Sequence, residues 1–224
     1  MGTSIAGNAA DREAILARVR KALGRKEGDS SGRATAEAYL NEHARGPQPA
    51  LPGDLVARFV ARAGDMGSTL ERVDARDGIP RAVARYLDSL TGDVSREGVC
   101  WPELADLDWP AAGLAIESRP TVGHDKLGIT GCFGAIAETG TLIVLPGADM
   151  HTASALLPDT HVVVLRGSDI VGTMEDAFAR VRSARKAMPR AINLMSGPSR
   201  TGDIEQTIVL GAHGPYRVHI LLLE

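Results

Sequence analysis

From Ser196 to Glu205 the chain reads Ser-Gly-Pro-Ser-Arg-Thr-Gly-Asp-Ile-Glu, ten residues dense in groups that hold small anions. The hydroxyls of Ser196, Ser199 and Thr201 can donate hydrogen bonds, Gly197 and Gly202 let the backbone come close to a guest, and Arg200 can grip an anion with two parallel bonds. Ala191 to Met195 before this run reads as a strand, and Asp203 to Leu210 after it reads as a helix. That order puts the loop at the carboxyl end of a strand and adds free N–H groups at a helix start. A carboxylate or phosphate is the expected guest. The same residues fit a plainer arrangement, in which Thr201 or Asp203 caps the helix and Arg200 pairs with Glu205 on the surface.

A second run, Gly128-Ile-Thr-Gly-Cys-Phe-Gly-Ala-Ile-Ala-Glu-Thr-Gly-Thr141, offers Thr130, Thr139, Gly140 and Thr141 as ligand contacts. Glu138 follows an apolar strand there, and a carboxylate partly withdrawn from water has a raised pKa suited to general acid or base work. It would serve equally as a turn residue bonded to Thr139 or Thr141, or paired with Arg200. His213, inside Gly211-Ala-His-Gly-Pro215, can reach the same cleft as Arg200 with Gly214 beside it, or act as a helix-end cation in a tight turn. The remaining histidines show neither HxxxH nor HExxH spacing, so no metal site is expected. Neither GxxxxGK[ST] nor GxGxxG occurs, and no nucleotide is inferred.

Cys100 and Cys132 are the only two cysteines and lack CxxC spacing. They cannot make a disulfide framework or a self-contained four-cysteine zinc or iron–sulfur site, so any cluster must belong to a partner and the chain's own cofactor stays unknown. Both read as reduced, partly buried thiols.

The elements that must position these groups follow a strand–helix rhythm. Residues 1–50 read as an appendage: an amphipathic helix from Asp11 to Leu23 with Asn8 as cap and Gly24 as stop, then a polar linker from Arg25 to Gly53. Residues 51–224 read as the main domain. Leu55 to Ala63 is helical and stopped by Gly67, Thr69 to Val73 is a strand, and Pro80 opens a second helix. Val99 to Trp101 and Leu114 to Glu117 are strands. Thr139-Gly140 turns a hairpin between Ala135–Glu138 and Thr141–Leu145, and His161 to Leu165 is a buried strand. Thr173 with Asp176 caps a further helix, and Tyr216 to Leu223 is the last strand. The class is α/β, three-layered, with a mostly parallel sheet and helices on both faces.

A formal net charge of −3 over 224 residues gives no basic excess for phosphate backbones, which argues against nucleic acid. No secretory start and no apolar run of about 20 residues is present, which argues for a cytoplasmic protein without a membrane span.

Gly128 to Leu142, Leu156-Leu-Pro158 with His161 to Val164, and above all Ser196 to Glu205 with His213-Gly-Pro215 resemble the LUD domain, closest to the lactate utilization protein C family. The likeness covers about residues 114 to 224. It implies a fold similar to the group of ribose-5-phosphate isomerase, glucosamine-6-phosphate deaminase, coenzyme A transferases and 5-formyltetrahydrofolate cyclo-ligase. It also implies a part in oxidising L-lactate to pyruvate with two separate proteins, at least one carrying cysteine-ligated iron–sulfur clusters. Some members carry a long cluster-binding extension that this chain lacks. Two alternatives stay open. One is a free-standing isomerase or acyl-transfer enzyme acting on a phosphorylated or carboxylate metabolite. The other is a ligand-binding scaffold that docks through Ile15, Val19 and Leu23.

Overall fold

The computed structural model describes residues 5–26, 30–51, 53–92, 94–147, 149–185, 187–204 and 207–224; the side chains of residues 5–8, 31, 203 and 204 lie outside it. The chain divides into two units, residues 1–48 and 49–224.

The first unit holds α1 (Ile5–Ala22) and α2 (Ser31–Glu42). α1 starts earlier than expected, so Asn8 lies within it and not at its cap. Its end is as expected, with Gly24 at φ +64°. The expected linker is partly helical: Ser31–Glu42 holds three alanines and two glutamates, which lose little side-chain freedom in a helix, and Arg33 pairs with Glu37 one turn on at 2.7 Å. Polar composition alone hid that helix.

In the second unit, α3 (Leu55–Asp65) leads through Gly67, at φ +89°, into β1 (Thr69–Val73). Then come α4 (Ile79–Ser89) with Pro80 in its first turn, β2 (Glu97–Cys100), β3 (Ala115–Ser118) and β4 (Leu127–Gly131). Between β2 and β3 run two 3₁₀ turns, Pro102–Leu104 and Pro110–Ala112, with the buried Trp109 indole donating to the Leu104 carbonyl at 3.0 Å. β5 (Gly134–Ile136), β6 (Thr141–Val144), α5 (Ala153–Leu156), β7 (Thr160–Arg166), β8 (Ile170–Val171) and α6 (Met174–Ala184) follow. The Thr173–Asp176 capping box at the start of α6 is formed in both directions. β9 (Asn193–Met195), β10 (Arg200–Ile204), β11 (Thr207–Leu210) and β12 (Arg217–Leu223) complete the chain.

Six strands form an all-parallel central sheet in the order β1-β12-β7-β4-β2-β3. Alternation along β12 sends Val218, Ile220 and Leu222 to one face and Leu221 and Leu223 to the other. α4 covers the second face through Val83, Tyr86 and Leu87 against Leu127, Ile129 and Val162. α3 covers the first through Phe59 and Ala63, joined by Ala135 and Leu142 of a separate four-stranded sheet, β8-β5-β6-β9. The opposite side of that second sheet, Ile136 and Ile143, packs on Ala177 and Val181 of α6. The expected α/β architecture with a mostly parallel central sheet is therefore present, with the 134–144 hairpin seated in a sheet of its own.

One expected element is different. Asp203 to Leu210 belongs to an antiparallel hairpin, β10–β11, and not to a helix. Thr201, Ile204, Thr207, Ile208 and Val209 are β-branched, and such side chains sit more easily on a pleated surface than against a helical turn. Among the described residues no helix is long and apolar enough to cross a membrane.

Candidate functional site

The two glycine-rich runs meet. β6 pairs antiparallel with β9, and the register Leu142↔Met195 carried one step further sets Thr141 opposite Ser196. The hydroxyls of Thr141 and Ser196 are 2.7 Å apart, and that of Thr139 lies 2.7 Å from Thr141, giving a chain of three hydroxyls across both runs. Thr141 is buried, Thr139 half-buried and Ser196 exposed, so the chain leads from the interior to the surface.

The glycines of this seam face α3. Gly140, at φ +68°, turns the β5–β6 hairpin, and a Cβ there would lie 2.5 Å from the Ala63 backbone nitrogen. Gly197, at φ +75°, would place one 2.1 Å from the Met66 carbonyl oxygen. The close approach that these glycines permit is thus to helix backbone. Arg200 works alongside them: one terminal nitrogen donates to the Met66 carbonyl at 2.8 Å, satisfying an oxygen just past the end of α3. The rest of its guanidinium is on an exposed residue.

Ser199 is joined to the last turn through its backbone, its N–H donating to Pro215 and its carbonyl accepting from Gly211, both at 2.9 Å. Gly214 lies against the Ser199 side chain, so the Gly-Ala-His-Gly-Pro region and the Ser-Gly-Pro-Ser run are neighbours. His213 is exposed. Glu138 is half-buried, its N–H donating to the Gly172 carbonyl at 3.0 Å. Among the described residues no ion pair joins it to Arg200. Thr201 sits in β10 opposite Val209. The side chain of Asp203, and Glu205 with its expected pairing to Arg200, lie outside the described residues.

Two features of the sequence expectation change. Since Arg200–Ile204 is a strand, no helix N-terminus among the described residues points into the Ser196–Thr201 turn. β9 also belongs to the second sheet, so this turn does not lie at the carboxyl edge of the parallel one. Thr130 is separate from the seam: it is buried in β4, its hydroxyl 2.8 Å from Nε2 of His161.

At the carboxyl ends of β4, β7 and β12 there is an open cleft of about 90 Å³, bordered by Arg76, Glu103, Gly131, Cys132, Arg166 and Asp169. Glu138, Arg200 and His213 do not line it. This is the edge at which open parallel sheets generally receive ligands. Glu103 and Arg166 carry no motif, and the only sequence signal for them is their place just after apolar strands. Burial pushes the Cys132 thiol up to about 12, with the charges of Asp169 and Glu103 adding to the effect; burial likewise pushes Cys100 up to about 11. Both thiols are therefore protonated near neutrality and poor nucleophiles. Among the described residues no group of three His, Cys, Asp or Glu side chains is placed to hold a metal ion.

The family model of the LUD domain matches residues 102–223, a span that includes the seam together with Glu103 and Arg166. Lactate utilization protein C of Deinococcus radiodurans is 31% identical over 185 residues, covering 79% of this chain and 83% of that protein. Lactate utilization protein C of Bacillus subtilis is 27% identical over 97% of this chain and 98% of its own length. The crystal structure of a DUF162 family protein from Deinococcus radiodurans is similar with a TM-score of 0.54 and 27% identity, covering 79% of this chain and 100% of that one. A family model spanning more than half of the chain, and a relative above 30% identity matched along most of its length, show that this protein belongs to the LUD domain family.

Proposed function

We propose that the protein is the non-cluster subunit of a cytoplasmic assembly that oxidises L-lactate to pyruvate together with iron–sulfur proteins. The names of its relatives connect it to lactate utilization. Oxidising a 2-hydroxy acid to a 2-oxo acid releases two electrons and two protons. A chain with two cysteines lacks the four thiolates that hold a cluster, so any cluster that takes up these electrons belongs to a partner.

The observation that carries this reading is the Thr139–Thr141–Ser196 hydroxyl chain, because it makes one polar surface out of the two runs by which the chain resembles its family. On that surface the hydroxyls of Ser196, Ser199 and Thr201, with Asp203, Gly214 and the exposed part of Arg200, would hold the carboxylate or phosphate of a ligand. Glu138 and His213 would orient it or move a proton. Gly140 and Gly197 would hold the surface against α3.

The test is L-lactate-dependent dye reduction in anaerobic lysates of cells with the gene intact, deleted, and restored as wild type, Glu138→Gln or Ser196→Ala. Loss on deletion with rescue by wild type alone is the expected result. Undiminished reduction in the deletion strain would remove the lactate role. Turnover of a phosphorylated or carboxylate metabolite by the purified chain alone would replace it with a free-standing enzyme.

A further inference from the structure

Four charged side chains border the cleft at the carboxyl ends of β4, β7 and β12, and two of them are already committed. Arg76 donates to both carboxylate oxygens of Asp106 and to the Glu103 carbonyl. Asp169 is paired with Arg180. That leaves Arg166, at the end of β7, and the carboxylate of Glu103, just after β2. Both residues are exposed to water, and among the described residues neither side chain takes a hydrogen bond or an ion pair from the protein or from the other. Glu103 feels the charge of Arg76 without bonding to it through its carboxylate.

The position of Glu103 depends on a missing side chain. A Cβ on Gly131 would lie 1.8 Å from Glu103 Oε1, so the carboxylate occupies the space in front of the last residue of β4. A lone anion in this cleft would satisfy Arg166 and be repelled by Glu103, and a lone cation would meet the reverse. A molecule with an anionic group and a hydrogen-bond donor a few atoms apart satisfies both. The cleft offers about 90 Å³ to a guest, below the usual range for ligand sites, so it suits only a molecule of a few non-hydrogen atoms.

We propose that this cleft, distinct from the hydroxyl seam, binds a short 2-hydroxy carboxylate, with the guest carboxylate on the Arg166 guanidinium and the guest hydroxyl donating to Glu103. The choice of a hydroxyl over an ammonium as the donor rests on the lactate reading above. Arg166 fixes the acid, Glu103 selects for the hydroxyl, and Gly131 keeps room for Glu103. Cys132 in the wall stays a neutral thiol and takes no covalent part.

Isothermal titration of the purified full chain with L-lactate, propionate and L-alanine tests this without any partner protein. L-lactate should bind about 10-fold more tightly than propionate, the value of one hydrogen bond to a charged acceptor. Arg166→Met should abolish both. Gly131→Ala, by pushing the flexible end of Glu103 aside, should reduce L-lactate to the affinity of propionate, and Glu103→Met should do the same if Gly131→Ala fails to fold. Absence of saturable L-lactate binding, equal affinities for L-lactate and propionate, or binding unmoved by Arg166→Met would overturn the proposal. Tighter binding of L-alanine would overturn the hydroxyl assignment. Because the readout is binding by the isolated chain, its failure is separable from failure of the lactate role, which is read in lysates.

Discussion

Glycine opens a close approach in two regions of this molecule, and what comes close differs. At the seam, Gly140 and Gly197 lie against the backbone of α3 and the residue following it, and both have positive φ. At the cleft, Gly131 lies in a regular strand and faces the far end of the Glu103 side chain. Backbone cannot yield, whereas a side-chain end can rotate away. A glycine of the first kind holds the fold together, and one of the second kind sets what a cleft can hold.

The largest expected effect concerns the sheet that supports the cleft. Burial lowers His161 and His219 from an ordinary value near 6.5 to about 4, and both are neutral in the folded chain. His219 lies against Tyr86, ring centroids 3.8 Å apart, with Nδ1 2.7 Å from the Thr69 hydroxyl. The unfolded chain takes up these protons first, so stability is full above about pH 6.5 and falls as the pH drops through about 4. The loss is about 3 kcal/mol for each histidine. Chemical unfolding from pH 7 to 4 should show this, and His219→Phe should flatten its share of the slope; an unchanged slope would mean the sheet admits a charged ring.

Gly197→Ala comes next. A left-handed backbone and a clash with the Met66 carbonyl should together destabilise the chain by about 4 kcal/mol, seen as a lower urea midpoint. A shift below about 0.5 kcal/mol would show that the seam does not depend on α3 and would remove the contrast with the cleft. Thr141→Val, which breaks the hydroxyl chain at its buried member, should lower stability by about 1 kcal/mol. It should also reduce rescue in the lysate assay, whereas a variant with unchanged rescue would separate the hydroxyl chain from function.

The smallest effect on stability belongs to Gly131→Ala, below about 1 kcal/mol in thermal unfolding, because only the Glu103 side chain has to move. If this variant unfolds as readily as Gly197→Ala, the two glycines are of one kind and the cleft is packing space.

Much of the fold is legible in the residues themselves. Gly67, Pro80, the Thr173–Asp176 box and the Thr139-Gly140 turn act through local backbone geometry, and each is found where local rules put it. The β10–β11 hairpin is less legible, because apolar spacing over eight residues suits a helix and a strand pair alike, and the β-branched side chains decide between them. The helix Ser31–Glu42 is not legible either, because small and charged residues compose helices and linkers equally well. For the site, the two runs are visible as motifs and their meeting is not, since only the β6–β9 register sets Thr141 against Ser196.

By itself the sequence determined the family, the α/β class, the chain's lack of thiolates for a cluster, and the residue types gathered in each run. Tertiary structure alone decided which glycines touch backbone, that Arg200 binds the Met66 carbonyl, and that Glu103 and Arg166, 63 positions apart in the chain, border one cleft. The reason is physical: local rules act over a few residues, whereas the carboxyl edge of a parallel sheet is assembled from strands that are distant in sequence and adjacent only once the sheet has formed.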